Sequence, residues 1–313
     1  MAAVLLGTGV LVLLLRGHAE PLATSPGPVA VGAPCPLGLL DRAARHITAS
    51  ASGQGVDPTP GSTGLADVQA LPSPLLASLG HLTPHAGGII DVPGTTLDRV
   101  DISERVTIAA DNVHIVNSSI HVHDYYGVLV MPGVRGAVVD HVVIDGSGRA
   151  GLEGSAGVAG PITVTDSDIF AVENGAIPGS STRITRTCIR DLAAPGDPHY
   201  DGIQMDGGQA DVRITANVID VSSVVSTSAV MLDSEFGPLT DIEISGNVLI
   251  GGTYTVYLDG RKGTDGAIGA SVSVLGNSLS GGRYAAVLCA RTQARVAGNA
   301  GPMGPATTLG CGS

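Results

Sequence analysis

Positive charge is scarce in this sequence. Its 313 residues include 16 lysines and arginines, with Lys262 as the only lysine, against 28 aspartates and glutamates, and the net charge is −12. Proteins that bind nucleic acid carry a basic patch or stripe. Because no such cluster exists here, we expect no nucleic-acid partner. An acidic surface of this kind indicates solubility rather than one particular partner.

Aromatic residues are also rare. There is no tryptophan, and aromatics make up 3% of the chain. This argues against a sugar-binding groove built mainly by stacking, although Tyr200, Tyr254, Tyr257 and Tyr284 are available for one. The hydrophobic share is nevertheless 43%, which excludes a chain that is disordered throughout.

The four cysteines, Cys35, Cys188, Cys289 and Cys311, show no metal-ligand spacing. In an exported protein they would meet an oxidising compartment. We therefore expect a disulfide between Cys289 and Cys311 near the carboxyl end. Cys188 is expected to pack as a small buried residue.

The amino-terminal part divides into a leader and a linker. Residues 2–15 are uncharged and apolar, which is typical of a signal-peptide core. We expect residues 1–19 to be a signal peptide or, since no basic residues precede the apolar run, a membrane anchor. Residues 20–85 are rich in Pro, Ser and Gly and predict a linker, with a short capping helix over residues 37–47. The protein is thus expected to be secreted or displayed at the cell surface, as a monomer.

A repeat dominates the rest of the chain. An apolar residue, a gap, a second apolar residue and a third five positions later recur every 20 to 30 residues. Clear copies are Val113-Ile115-Ile120, Ile162-Val164-Ile169, Val212-Ile214-Ile219, Ile242-Ile244-Leu249 and Val272-Val274-Leu279, and weaker copies are Ala137-Val139-Ile144 and Thr182-Ile184-Ile189. Alternation with a period of two predicts strands with one buried face.

These copies predict an all-β fold, a right-handed parallel β-helix of about eight coils over residues 86–313. Helical repeats would need a period of 3.6, which is absent. Asn217, Asn247, Asn277 and Asn299 recur between the paired apolar positions. We expect them to stack at a sharp corner, in the left-handed conformation that Asn tolerates, with amide hydrogen bonds from coil to coil.

A further strand in each coil carries the chemistry-bearing residues. Its predicted inward pairs are Ile203 and Met205, Val230 and Leu232, and Val256 and Leu258. The alternation then places Asp206, Asp233 and Asp259 in one outward column, with Gln204, Met231 and Tyr257 beside it. Parallel strands stack about 4.8 Å apart.

Such a column of like charges is costly unless a cation bridges it or a proton is shared. It is therefore a Ca²⁺ site, an acid/base pair or a solvated ladder of turns, and we assign Asp206 and Asp233 as candidate Ca²⁺ ligands. His199 and Tyr200 directly precede the strand, and histidine is the usual acid/base group near neutral pH. Arg261 and Lys262 follow Asp259 and are placed to neutralise an anionic sugar.

The coils from Val106 to Asn299 resemble the pectate-lyase-like superfamily of secreted parallel β-helix proteins. The run His199-Tyr200-Asp201-Gly202-Ile203-Gln204 is similar to a His-x-Asp-Gly-Ile-Gln motif of poorly characterised bacterial members. Asp197-Pro198-His199 is similar to the Asp-Pro-His of mannuronan C5-epimerases and some alginate lyases. Asp201 matches a catalytic aspartate of polygalacturonases, but Thr227 and Ser228 stand where those enzymes carry an Asp pair.

The resemblance implies an exported polysaccharide-active protein, namely a lyase or C5-epimerase acting on a uronate. The implied catalytic residues are His199, Tyr200 and Asp201. The residues expected to bind substrate are Asp197, Gln204, Tyr257, Asp259, Arg261 and Lys262. Two alternatives stay open: a glycoside hydrolase that uses paired Asp residues, and a non-catalytic module that binds glycan at the surface.

Overall fold

The computed structural model describes Cys35 and residues 73–122, 124–147, 156–302 and 304–311. The predicted leader and the predicted helix at 37–47 lie outside these residues. The helix that is described, α1 (Pro74–Leu79), falls in the predicted linker; Ser73 caps it by accepting a hydrogen bond from the Leu76 N–H, and Pro74 occupies the first turn. Within the described residues no helix has the length and apolar character needed to cross a membrane.

In the described residues, strands make up the rest of the regular structure and are numbered here in chain order. The first strands are β1 (Thr83–His85), β2 (Gly88–Ile90), β3 (Thr96–Asp98), β4 (Val100–Ile102), β5 (Val106–Ile108), β6 (His114–Val116), β7 (Ser119–His121), β8 (Tyr126–Val130) and β9 (Val138–Asp140). The middle strands are β10 (Val143–Asp145), β11 (Ala156–Gly160), β12 (Thr163–Thr165), β13 (Asp168–Phe170), β14 (Asn174–Pro178), β15 (Arg183–Thr185), β16 (Cys188–Arg190), β17 (Tyr200–Met205) and β18 (Ala210–Thr215). The last strands are β19 (Val218–Asp220), β20 (Ser226–Asp233), β21 (Thr240–Ser245), β22 (Val248–Ile250), β23 (Tyr254–Asp259), β24 (Val272–Leu275), β25 (Ser278–Ser280), β26 (Ala285–Ala290), β27 (Arg295–Ala297), β28 (Ala300–Gly301), β29 (Gly304–Pro305) and β30 (Thr308–Leu309).

The strands form three sheets that run the length of the molecule. Sheet A contains every third strand from β1 to β28 and also β29. Sheet B contains every third strand from β2 to β26 and also β30, and sheet C contains every third strand from β3 to β27. The described residues thus complete nine coils and begin a tenth, and pairing is parallel except between β28 and β29. The predicted all-β parallel β-helix is confirmed, and its crossovers are expected to be right-handed.

The repeated apolar frame fills the core. In sheet C the stacked residues are Ile115, Val139, Val164, Ile184, Ile214, Ile244 and Val274. In sheet A the stacked residues are Ile120, Ile144, Ile169, Ile189, Ile219, Leu249 and Leu279. All of these side chains are buried. β-Branched residues suit this position because their stiff side chains pack well on a pleated surface.

The asparagine ladder lies at a corner between sheets C and A, as predicted. The Nδ2 of Asn217 donates to the Oδ1 of Asn247 at 3.0 Å, and the same bond joins Asn247 to Asn277 and Asn277 to Asn299 at 2.9 Å. The expected left-handed conformation of these residues is wrong. The left-handed conformation is adopted instead by the residue before each Asn, such as Ala216 with φ 56°. The chain turns the corner at that residue, and the asparagine that follows is buried.

We expect Asn247→Ala to lower the free energy of unfolding by about 2 kcal/mol, because it leaves buried partners in both neighbouring coils unsatisfied. Denaturant titration measures this effect. Ser271→Ala, an exposed position in the next coil, is the control and should stay within about 0.5 kcal/mol of the wild type. Equal stability of the two variants would contradict a supporting role for the ladder.

Both cysteine pairs form disulfides. Cys289–Cys311 joins as predicted, with the Cα atoms 4.7 Å apart. Cys188 is buried as expected, but it is bonded to Cys35, with a Cα–Cα distance of 5.4 Å, which corrects its assignment as a simple packing residue. The partners are 153 residues apart. Cys188 begins β16 on the outer face of sheet A, where Cys35 packs beside Val218.

Peptide mapping of the non-reduced protein tests this assignment. We expect one linked peptide pair containing Cys35 and Cys188, a second containing Cys289 and Cys311, and no free thiol. Any other pairing, or free thiols in material from an oxidising compartment, would contradict the structure.

Helix α1 seals a buried ion cluster on the outer face of sheet A. Leu75 and Leu79 pack against Val143, Phe170 and Ala171. Beneath them the guanidinium of Arg190 binds both carboxylate oxygens of Asp168 at 2.8 and 3.0 Å and the carboxylate of Asp191 at 2.7 Å. It also lies 4.4 Å from the centre of the Phe170 ring. The hydroxyl of Ser73 hydrogen-bonds to Asp168, which links the start of the helix to the cluster.

Candidate functional site

The candidate site lies on the outer face of sheet B, along β17, β20 and β23. Met205 pairs with Leu232, so Asp206 follows beside Asp233, and Asp233 pairs in turn with Asp259. The predicted aspartate column is therefore confirmed, as is the adjacent column of Gln204, Met231 and Tyr257. The inward pairs predicted for these strands are all fully buried.

The column points outward as predicted, but two of its members are covered by other side chains. Asp233 is 1% exposed and Asp259 is 5% exposed, whereas Asp206 is half-buried. Cationic side chains from the turn after β23 cover them. The Nζ of Lys262 lies 3.0 Å from Asp233 and 2.7 Å from Glu235, and Arg261 binds both oxygens of Asp259 at 2.9 and 2.7 Å.

These ion pairs change the roles expected for the two cations. Arg261 holds the pKa of the Asp259 carboxyl below its usual range and also donates to the Tyr257 hydroxyl at 3.1 Å. The neighbouring carboxylates raise the pKa of Lys262. Arg261 and Lys262 thus neutralise carboxylates of the protein itself, so that binding an anionic sugar would require them to leave these partners.

The same contacts bear on the candidate Ca²⁺ ligands. One oxygen of Asp233 receives the Lys262 ammonium, and the other accepts a hydrogen bond from the Glu235 N–H at 2.6 Å. Both oxygens of Asp206 accept from the Nε2 of Gln204, at 3.0 and 3.2 Å. Calcium takes six to eight oxygen ligands. Since a lysine supplies the countercharge here, these residues as arranged do not fit a calcium ion.

Asp201 lies on β17, next to a register shift between Tyr200 and Asp201. It is 1% exposed and accepts a hydrogen bond from the Ser228 hydroxyl at 2.7 Å. Burial raises the pKa of its carboxyl well above the usual range, and the charges of Asp206 and Glu173 raise it further. Asp201, one of the implied catalytic residues, thus lies beneath the surface of that face.

Position 202 requires glycine because the backbone lies directly against the core at this point. A Cβ there would collide with the side chain of Ile219 and the carbonyl of Ala229. A larger residue would displace β17 and with it Asp201.

Asp206 is the second carboxyl of this site with a raised pKa. Partial burial is the main cause, and the charge of Asp233 adds to it, while the hydrogen bond from Gln204 and the charge of Lys262 act in the opposite direction. Asp201 and Asp206 are close enough for the charge of one to raise the pKa of the other. The two carboxyl groups lie five residues apart along this extended segment, and they differ in burial and in partners.

Glu173 belongs to this site and was missed by the sequence analysis. It is 3% exposed, immediately precedes β14, and accepts a hydrogen bond from the His199 N–H at 2.9 Å. Its charge raises the pKa of both Asp201 and Tyr200. The available signal was a lone acidic residue within an otherwise apolar segment.

The two other predicted catalytic residues occupy different environments. The Tyr200 hydroxyl donates to the Ala194 carbonyl at 3.1 Å and accepts from the Ala194 N–H at 3.0 Å, and burial raises its pKa. Tyr200 thus fixes the preceding loop. His199 and Asp197 are exposed at the rim of the site.

No family model matches the chain, and no curated protein matches it. Among solved structures, the Dettilon tailspike protein (gp208) is similar at 14% identity, covering 71% of this chain and 54% of that chain, with a TM-score of 0.44. The chain thus spans about half the length of that structure. The match carries no functional argument, and membership of the pectate-lyase-like superfamily stays an expectation.

Proposed function

We propose that this protein is an exported, glycan-active β-helix protein that hydrolyses a glycosidic bond with Asp201 and Asp206. The observation that carries the proposal is the carboxyl group of Asp201 on β17 together with that of Asp206 directly after this strand, both with raised pKa values and differing in burial. Glycoside hydrolases use one protonated and one ionised carboxyl. The two disulfides are consistent with export.

In this proposal Asp201 is the general acid, because burial raises the pKa of its carboxyl well above the usual range and so favours the protonated form. Its proton passes to the glycosidic oxygen as the bond to the anomeric carbon breaks, a step that requires the cover over this 1% exposed side chain to move aside. Asp206, which is less buried and accepts hydrogen bonds from Gln204, takes a proton from the water that attacks the anomeric carbon. Solvent then returns both carboxyls to their starting states.

A second candidate is β-elimination or C5-epimerisation at a uronate. The exposure of His199 favours it, since the backbone of this residue is held by Glu173 while the imidazole faces solvent beside the site. The Asp197-Pro198-His199 run points the same way. Against it stands the pairing of Arg261 and Lys262 with carboxylates of the protein.

The test is a panel of polysaccharides assayed for new reducing ends and for ultraviolet absorbance of an unsaturated product. We expect reducing ends without absorbance. Reducing ends with absorbance would identify a lyase instead. If neither reducing ends nor absorbance appears, the protein is an epimerase or a binding module, and the hydrolysis proposal is overturned.

His199→Ala separates the two candidates. If Asp201 and Asp206 perform the chemistry, turnover should fall less than about tenfold, whereas loss of a general acid or base costs about 100-fold or more. His114→Ala, at an exposed position of sheet C, is the control for a histidine away from the site. A large loss confined to His199→Ala would favour uronate chemistry.

A further inference from the structure

The few aromatic residues of this chain are concentrated on one sheet. Of its six tyrosines and two phenylalanines, all of which the structure describes, Phe170 alone lies on sheet A. The others lie on strands of sheet B or within three residues of one: Tyr125, Tyr126, Tyr200, Phe236, Tyr254, Tyr257 and Tyr284. Since the core is filled by aliphatic side chains, packing alone does not account for this distribution.

Three of these tyrosines form a cluster on coils eight and nine. The Tyr254 ring lies between the other two, with centroid distances of 5.5 Å to Tyr257 and 5.8 Å to Tyr284. The guanidinium of Arg283 lies 5.5 Å from the centre of the Tyr284 ring. Tyr284 is 65% exposed, so that an aromatic surface faces solvent here.

The cluster stands in line with the proposed catalytic carboxyl. Asp201 pairs with Ser228, and the register of β20 with β23 places Ser228 beside Tyr254. Tyr254 therefore continues the Asp201 column two coils further along the axis. At a spacing of about 4.8 Å per coil, the separation is about 10 Å, which is about two sugar units.

The charge of this face selects the class of ligand. Its carboxyl groups are those of Glu173, Asp201, Asp206, Asp233, Glu235 and Asp259, and the cations of the same described segments are Arg261, Lys262 and Arg283. An excess of carboxylates repels a polyanion. A neutral sugar instead offers an apolar ring face to tyrosine, which is apolar in its ring and polar at its hydroxyl, and donates its own hydroxyls to carboxylates.

We infer that Tyr254, Tyr257 and Tyr284 form a subsite for one ring of a neutral glycan, and that the glycan chain runs along the axis of the β-helix. This inference rests on the proposed function and extends it by naming the substrate class and the direction of the chain. The Tyr257 hydroxyl is already held by Arg261, which fixes the orientation of that ring before a ligand arrives.

Affinity electrophoresis in gels that contain one polysaccharide each tests the inference. The neutral probes are a β-glucan, a xylan and a galactomannan, and the anionic probes are alginate and polygalacturonate. The wild type should be retarded by at least one neutral probe and by neither anionic probe. Tyr284→Ala should bind the neutral probe about tenfold more weakly, a change worth about 1.4 kcal/mol.

Two variants serve as controls. Tyr284→Phe keeps the ring and should bind within about twofold of the wild type, as expected for stacking. Ile89→Ala removes an apolar side chain that is 73% exposed on β2, in the first coil of sheet B, and should also bind normally. Both positions are exposed, so neither change should prevent folding, and thermal melting checks this.

The outcomes distinguish failure of the proposed subsite from failure of the proposed hydrolytic activity. Normal binding of the neutral probe by Tyr284→Ala would overturn the subsite, while the carboxyl pair could still be shown to hydrolyse that probe. Retardation by anionic probes alone would overturn the neutral-glycan assignment and favour uronate chemistry. A wild type that binds and alters none of the probes would overturn both the subsite and the proposed function.

Discussion

Asp201→Asn is expected to lower turnover on the responsive glycan at least about 100-fold, within the range for loss of a general acid. The amide has nearly the shape of the carboxyl and can still accept the hydrogen bond from Ser228, but it has no proton to donate to the leaving oxygen. Steady-state release of reducing ends measures the effect. Asp265→Asn, at a carboxylate that is largely exposed, is the matched control and should retain full turnover.

The pH dependence of this variant gives an independent check. Because the pKa of Asp201 is raised in the folded protein, the folded state binds more protons than the unfolded state between the ordinary and the raised pKa. Ionisation of this carboxyl therefore lowers the free energy of unfolding as the pH rises through that window. Asp201→Asn removes the cost and should melt no lower than the wild type at neutral pH.

In the wild type, activity should fall as the pH rises through the raised pKa of the acid. A variant that loses activity together with stability would indicate a structural role for Asp201. Near-normal turnover of Asp201→Asn would exclude Asp201 as the general acid and would favour His199 in that role.

Arg190→Met is expected to lower the free energy of unfolding by about 3–5 kcal/mol, the usual cost of removing one partner from a buried ion pair. Arg190 and Asp168 are fully buried and Asp191 is 2% exposed. Methionine fills much of the space but leaves two carboxylates without their cation beneath α1. Chemical denaturation, monitored by the circular dichroism of the strands, measures the loss.

The control for this prediction is Arg183→Met. Arg183 binds Asp211 at 2.6 Å, but both side chains are 39% exposed, and exposed ion pairs contribute about 0–1 kcal/mol. A similar small effect for Arg190→Met would show that the buried cluster does not stabilise the fold.

The sequence by itself determined the solenoid. A strand buries every second residue, so the spacing of Val113, Ile115 and Ile120 and of its copies predicts which side chains face inward. The asparagine ladder was predictable for the same reason, since equal spacing along the chain becomes stacking along the axis. The corner geometry of the ladder was not predicted correctly. The left-handed residue is the one before each asparagine, such as Ala216.

The register of the candidate site also followed from the sequence. Once Met205 and Leu232 face inward in adjacent coils, Asp206 must lie beside Asp233. The burial of these carboxyls did not follow. It depends on Arg261 and Lys262 folding back over the column, and alternation along a strand gives the direction of a side chain without saying what covers it.

Only the tertiary structure brought together residues that are far apart in the chain. Cys35 meets Cys188 across 153 residues, and Glu173 reaches His199 from the preceding coil. The raised pKa of Asp201 arises mainly from desolvation by the surrounding coils, with added contributions from the charges of Asp206 and of Glu173 in the preceding coil. Local patterns specify backbone conformation and the inward face, whereas burial, pairing and proton affinity are set by long-range contacts that no local pattern encodes.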